Sequence, residues 1–224
     1  MKVLAINGSP HNENGCTTKI LKPLLAGMEE AGAQTEIVYL GKTQIHHCIG
    51  CMSCWTKTPG ECVFNDDMGE LLQKYIAADL YILATPLYYY NVSGLTKNFM
   101  DRMLPLVKLI RPEKRKKLLL VSPAGFPEIG CFESLVHLIR HLAKFENDDY
   151  LGEVLRPSAG LLGRDFFHDK TDVYYKNLKL AGKQLIETNK IDEDLHKKLH
   201  EQWMTREELR KVFKEIFNID LDLK

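Results

Sequence analysis

Four of the six cysteines in this 224-residue chain fall in one short window, Cys48, Cys51, Cys54 and Cys62, while Cys16 and Cys131 stand alone. A secreted disulfide scaffold is a smaller chain with its cysteines spread out, so the cluster predicts a metal or redox site in a reducing compartment. The spacing is C-x2-C-x2-C-x7-C. Closely spaced thiolates of this kind wrap one [4Fe–4S] cube, although the fourth arrives later and is followed by Val63 rather than proline. Zinc also accepts four thiolates, but structural zinc usually takes them from two separated knuckles. A redox disulfide between Cys51 and Cys54 is a third reading, and small packing residues without metal are a fourth. Spacing alone leaves all four open.

Around this window the chain alternates strand-like and helix-like segments. Apolar runs at Lys2–Asn7, Thr35–Leu40, Leu80–Thr85 and Leu118–Ser122 predict buried parallel strands, with a weak fifth at Glu153–Leu155. Helices are expected over Thr17–Ala31, from Asp66 onward, over Leu95–Leu104 and over Phe132–Lys144. Pro23 predicts a kink in the first of these, or a late start. Asp66 is placed to cap a helix with Met68, Leu71, Leu72, Tyr75 and Ile76 on one face. From Thr171 onward the pattern is helical and charged, and Thr205-Arg206-Glu207-Glu208 forms a capping box. The expected architecture is a three-layer, doubly wound α/β domain, its parallel sheet ordered 2-1-3-4-5. It would occupy residues 1–224 as one domain, with 170–224 as a helical C-terminal extension.

Such sheets bind ligands beyond the carboxyl ends of their strands, which selects the loops 8–18, 85–94 and 122–130. The first contains small hydroxyl and amide side chains, two glycines and no lysine, and it opens a helix. Unpaired N–H groups at a helix start hold a phosphate without a cation. Neither G-x-x-x-x-G-K-[ST] nor G-x-G-x-x-G is present, so a monophosphate fits better than a triphosphate or dinucleotide. In the second loop, Tyr88, Tyr89 and Tyr90 cannot all point inward; at least one ring should meet solvent or a flat ligand.

The segments Asn7-Gly8-Ser9-Pro10, Gly15 with Thr17, Thr85-Pro86-Leu87-Tyr88 and Asn91-Val92-Ser93-Gly94, followed by Lys97-Asn98-Phe99-Met100-Asp101-Arg102, resemble NAD(P)H-dependent FMN reductases of the flavodoxin-like superfamily. The cysteine window with Asp66-Asp67-Met68 is similar to the iron–sulfur flavoprotein branch and its close cluster-free relatives. The resemblance covers roughly residues 1–130 and implies a flavodoxin-like fold. It implies an FMN phosphate at Ser9, His11, Cys16, Thr17 and Thr18. The isoalloxazine would lie against Pro86, Leu87, Tyr88, Tyr89 and Asn91, with Ser122, Ala124 and Gly125 on another side. His11 stands where relatives often carry Arg, and Cys16 where many carry Asn.

The expected activity is therefore FMN-dependent oxidoreduction, hydride coming from NAD(P)H as co-substrate and leaving to a flavin, quinone or similar acceptor. The flavin carries such chemistry, so no side chain is expected to act as general acid or base. The alternative is an electron carrier exchanging with a redox protein, with a [4Fe–4S] cluster on Cys48, Cys51, Cys54 and Cys62. A zinc-stabilised binding module is a third class. Lys plus Arg and Asp plus Glu number 30 each, which argues against a nucleic-acid partner and disfavours a simple, strongly charged flavodoxin. No apolar run approaches the roughly 18 residues of a membrane span. Val3–Ile6 is too short for a signal peptide core, so a cytoplasmic protein is expected. Relatives imply a homodimer or homotetramer. The helical pairs His137/His141 and His196/His200 and the basic run 111–117 are expected to be solvated or interface surface.

Overall fold

The structure is a computed structural model and describes residues 1–106 and 115–217. Five strands, β1 (Lys2–Asn7), β2 (Gln34–Tyr39), β3 (Leu80–Ala84), β4 (Lys117–Pro123) and β5 (Asp149–Arg156), form one sheet. Every neighbouring pair is parallel. The order is β2-β1-β3-β4-β5, as the alternating pattern predicts. The helices are α1 (Cys16–Glu30), α2 (Ser53–Thr56), α3 (Met68–Ala77), α4 (Gly94–Asp101), α5 (Glu133–Glu146), α6 (His168–Thr188), α7 (Glu193–Leu199) and α8 (Arg206–Phe217).

Alternation along the central strands builds two cores. Val3, Ala5, Leu80, Ile82, Leu119 and Val121 face α1 and α6, whereas Leu4, Ile6, Tyr81, Leu83, Leu118 and Leu120 face α3, α4 and α5. Burial on both faces is why these strands read as continuous apolar runs. The fifth strand is longer than expected. Its first half, Asp149–Gly152, carries polar residues and a register shift, with Gly152 at φ +113°, so it lacks that signature.

Several expectations need correction. The first helix starts at Cys16 and runs through Pro23, so there is no late start. Ile76 is exposed rather than part of the buried face of α3. The fourth helix stops at Asp101, and Leu104–Leu106 forms a separate 3-10 turn. Within the basic run, residues 111–114 lie outside the described residues. Lys116 is not solvated: its Nζ donates to the Ile76 and Ala78 carbonyls at 2.8 and 2.6 Å over the Tyr75 ring.

The extension begins with α6, which is itself a layer helix lying along α1 in the core. Two glycines allow that approach. A Cβ on Gly182 would stand 2.0 Å from the Leu24 carbonyl oxygen, and one on Gly27 1.8 Å from that of Lys179. Replacing Gly182 by Ala therefore forces the helices apart and should cost about 2–3 kcal/mol, read as a lower urea midpoint at unchanged m.

Beyond α6, the chain folds over the end of β5. Arg156 is fully buried between aromatic faces, its guanidinium 4.0 Å from the Trp203 ring centre and 5.1 Å from that of Tyr174. Burial lowers its pKa to about 10. His200 is not surface either. Its Nε2 accepts the Leu155 N–H at 2.9 Å, closing part of the sheet edge. Burial, with the neighbouring His196 and Arg156 charges, lowers its pKa to about 3. An unfolded histidine takes up a proton below about pH 6.5, whereas folded His200 does not. This contribution to stability is thus complete above that pH and lost as the pH falls from there toward 3, at up to about 1.4 kcal/mol per pH unit. Chemical unfolding between about pH 4 and 7 should show this slope, and His200→Gln should flatten it.

Candidate functional site

The carboxyl ends of the strands are tied together by their loops. The Gly8 N–H donates to Ala84 O at 2.8 Å, and Ser93 Oγ donates to Gly8 O at 2.6 Å, joining the first loop to the second. The Leu87 N–H donates to Pro123 O at 2.9 Å, joining the second to the third. Gly8 is required here, because a Cβ would fall 1.8 Å from Thr96 Oγ1. The Ala124 N–H donates to Arg156 O, and Cys16 Sγ donates to Ala159 O at 3.2 Å, bringing in the segment after β5.

Within the first loop, the Ser9 N–H donates to Asn7 Oδ1 and the His11 N–H to Ser9 Oγ. Thr18 Oγ1 accepts from Asn7 Nδ2 at 2.8 Å and donates to Asn12 O at 2.5 Å. The Thr18 hydroxyl is therefore already engaged. That of Thr17 is different: the residue is 1% exposed and Oγ1 has no hydrogen-bond partner among the described residues. Gly15 precedes the helix and supplies no side-chain cap, which leaves the first-turn amides without one. The Ser122 and Ser158 hydroxyls at the ends of β4 and β5 are also buried and unpartnered among the described residues. Buried hydroxyls are normally bonded, so the Thr17 hydroxyl fits an oxygen-rich ligand at the uncapped helix start.

Of the other expected contacts, Pro86, Leu87 and Ala124 are buried, and His11 and Gly125 are exposed. The Asn91 amide oxygen accepts from the Val92 N–H. Tyr88 and Asn91 bridge across a two-residue turn whose central residues, Tyr89 and Tyr90, both have positive φ, 48° and 62°. Such turns favour Asn and Gly, so this backbone spends energy to display tyrosines. Tyr89 is 98% exposed, and Tyr90 stacks on Phe126 at 5.8 Å. Burial pushes the Cys16 thiol up from its ordinary pKa, so it stays neutral. The residues after β5, Ser158 above all, are absent from the sequence expectation; a Pro-Ser following the weak fifth strand is the only signal.

The cysteine window is fastened to α4. Asn98 Nδ2 donates to Ile45 O, Trp55 Nε1 donates to Leu104 O, and Arg102 is wholly buried beneath the loop. Arg102 Nη1 donates to His46 O and to Asp66 Oδ2, each at 2.7 Å, and Nη2 to Asp66 Oδ1 at 2.9 Å. Asp66 also accepts from the His46 and Met68 N–H groups; it braces the start of α3 from one residue before the N-cap, which is Asp67 rather than the expected Asp66. Burial alone would raise its carboxyl; Arg102 and the His46 amide outweigh this and hold it below the usual value. The pairing partner of Asp66 is legible only as an arginine on the buried stripe Thr96, Phe99, Arg102.

Cys48, Cys51, Cys54 and Cys62 all line one cavity with Ile49, Met52, Val63, Phe64 and Arg102. Cys48 and Cys51 are exposed, Cys62 is half-buried and Cys54 buried, all four as free thiols. Burial and the neighbouring Cys62 raise the Cys54 pKa, while the Ser53 hydroxyl and amide lower that of Cys51. Among the described residues no three His, Cys, Asp or Glu side chains converge closely enough to hold a single metal ion. His137 and His141 are exposed, as expected. No helix among the described residues is long and apolar enough to cross a membrane.

A doubly wound parallel sheet ordered β2-β1-β3-β4-β5, with an uncapped helix start after its first strand, defines a flavodoxin-like fold. Residues 1–147 match the NADPH-dependent FMN reductase family, and the chain belongs to that family. It is 43% identical to an iron–sulfur flavoprotein of Archaeoglobus fulgidus, over 47% of this chain and 46% of that protein. To one of Methanocaldococcus jannaschii it is 42% identical, over 47% and 53%. These matches thus span about half the length of each relative. Among solved structures, the NAD(P)H:quinone oxidoreductase of Methanothermobacter marburgensis superposes with a TM-score of 0.63 at 15% identity, covering 83% of this chain and 96% of that one. An FMN-dependent NADH-azoreductase of Bacillus anthracis gives 0.60 at 17%, covering 83% and 99%. At these identities the superpositions bear on fold alone.

Proposed function

We propose that the chain, as one domain over residues 1–224, is an FMN-dependent oxidoreductase. The observation that carries this reading is the buried, unpartnered Thr17 hydroxyl at an uncapped helix start. Thr17 Oγ1 and the first amides of α1 would hold the phosphate, with Ser9 and the backbone near His11 and Cys16 shaping its loop and Thr18 bracing it. Pro86, Leu87, Tyr88, Tyr89 and Asn91 would border the ring on one side, and Ser122, Ala124 and Gly125 on another. The chemistry FMN supplies when bound is uptake of hydride from NAD(P)H and its delivery as electrons to a small-molecule acceptor or a redox protein. The residues of this chain bind, orient and exclude water; a neutral Cys16 thiol keeps negative charge away from the phosphate loop.

The chemistry of the cysteine donor set fits a [4Fe–4S] cluster on Cys48, Cys51, Cys54 and Cys62. Zinc draws its sulfurs to one point, about 2.3 Å away. A cube instead offers each thiolate its own iron, and here the thiols surround a cavity. That cavity is small, about 20 Å³, and two of its four thiols, Cys48 and Cys51, are exposed. The chemistry a cluster supplies is one-electron transfer. Assembly as a homodimer or homotetramer in the cytoplasm, without nucleic-acid or membrane partners, completes the proposal.

Anaerobic purification with a visible spectrum and iron and sulfide analysis tests both cofactors together. Steady NAD(P)H consumption with a flavin or quinone acceptor supports the enzyme; reduction only by a ferredoxin overturns it in favour of the carrier.

A further inference from the structure

We propose that Arg102 and Asp66 set the reduction potential of the four-cysteine centre, Arg102 as a fixed cation in its wall and Asp66 as the counter-charge behind it. This rests on the cluster reading above. Arg102 lines the same cavity as all four cysteines, whereas Asp66 does not. The side chains are 1% and 4% exposed, so the charges act through a medium of low dielectric with little solvent screening. Three hydrogen bonds fix the guanidinium to His46 and Asp66, neither of which lines the cavity, and Phe64 lies 5.2 Å from its centre. Its Nε–H has no hydrogen-bond partner among the described residues.

A buried ion pair of this kind is weak as a stabilising device, because apolar side chains of similar volume do as well. Its position is what distinguishes it. Each electron taken up by the centre adds one negative charge to a site whose other walls are apolar apart from Asp101, which is half-exposed and paired with Lys97. A cation in that wall favours the reduced state, and hydrogen bonds and net charge near the sulfurs are the protein's usual means of tuning such centres. Asp66 partly offsets that cation, so the two charges bear on the potential with opposite sign.

The test is a spectroelectrochemical titration of anaerobically prepared holoprotein, with iron and sulfide measured for each variant. Arg102→Gln should lower the potential and Asp66→Asn should raise it, each by about tenfold in the reduced-to-oxidised ratio at fixed poise, which is about 59 mV for one electron. Arg102→Lys, which keeps the charge, should stay near the wild type. A purely structural pair would change cluster content without opposite shifts. Should Arg102→Gln fail to fold, Asp66→Asn and Arg102→Lys decide. Shifts of the same sign, or no shift at full iron content, overturn the inference. Wild-type protein without iron and sulfide overturns the cluster reading first, before any variant is made.

Discussion

Arg102→Met should be strongly destabilising, costing about 3–5 kcal/mol, because it leaves the Asp66 carboxylate buried without its cation. Asp66 keeps two backbone N–H donors, from His46 and Met68, and these cannot replace a bidentate guanidinium. The variant carboxyl is then pushed above its ordinary pKa by burial. The electrostatic part of the loss is therefore full at neutral pH. It shrinks as the pH falls through that raised value and vanishes below the ordinary carboxyl range near 4. For a chain of this length the neutral-pH loss corresponds to a melting temperature lower by roughly 10 °C. Thermal unfolding of wild type and variant across pH checks both the size and the trend. A variant melting with the wild type at neutral pH would mean that the pair does not hold the cysteine window to α4.

The second large effect lies at the opposite sign of stability. Thr17→Val removes a buried hydroxyl that has no partner within the described protein, so the ligand-free protein should be as stable as wild type or slightly more so. FMN affinity should nevertheless fall about 10- to 100-fold, the worth of one hydrogen bond to a charged group. A merely structural Thr17 predicts the reverse: altered stability and unchanged affinity. Thr18→Val separates the two roles further, since its hydroxyl joins Asn7 to Asn12. It should destabilise the loop with or without ligand.

These two residues also show what the sequence reveals and what it hides. The sheet was readable because β1, β3 and β4 are buried on both faces, which writes a continuous apolar run into the chain. Half of β5 was hidden, because an edge strand with a bulge at Gly152 needs no such run. Pro23 lies inside an unbroken helix, which removes one hydrogen bond to Lys19 and excludes the late start. In the site, residue types mark the loops but treat Thr17 and Thr18 alike. Only the folded hydrogen-bond pattern distinguishes the hydroxyl that is engaged from the one that is not. The Arg102–Asp66 pair joins residues 36 positions apart, and no local signal reports a contact of that range. His200 is the converse case: one of a helical pair that reads as surface, it is turned inward by the need of the Leu155 N–H for an acceptor.

The central claim is that the start of α1 grips the phosphate of FMN, and calorimetric titration of the ligand-free protein with FMN and with riboflavin tests it most directly. The expected result is one FMN per chain, with riboflavin, which lacks the phosphate, bound at least about 100-fold more weakly. Equal affinity for the two, or no heat with FMN, would contradict it.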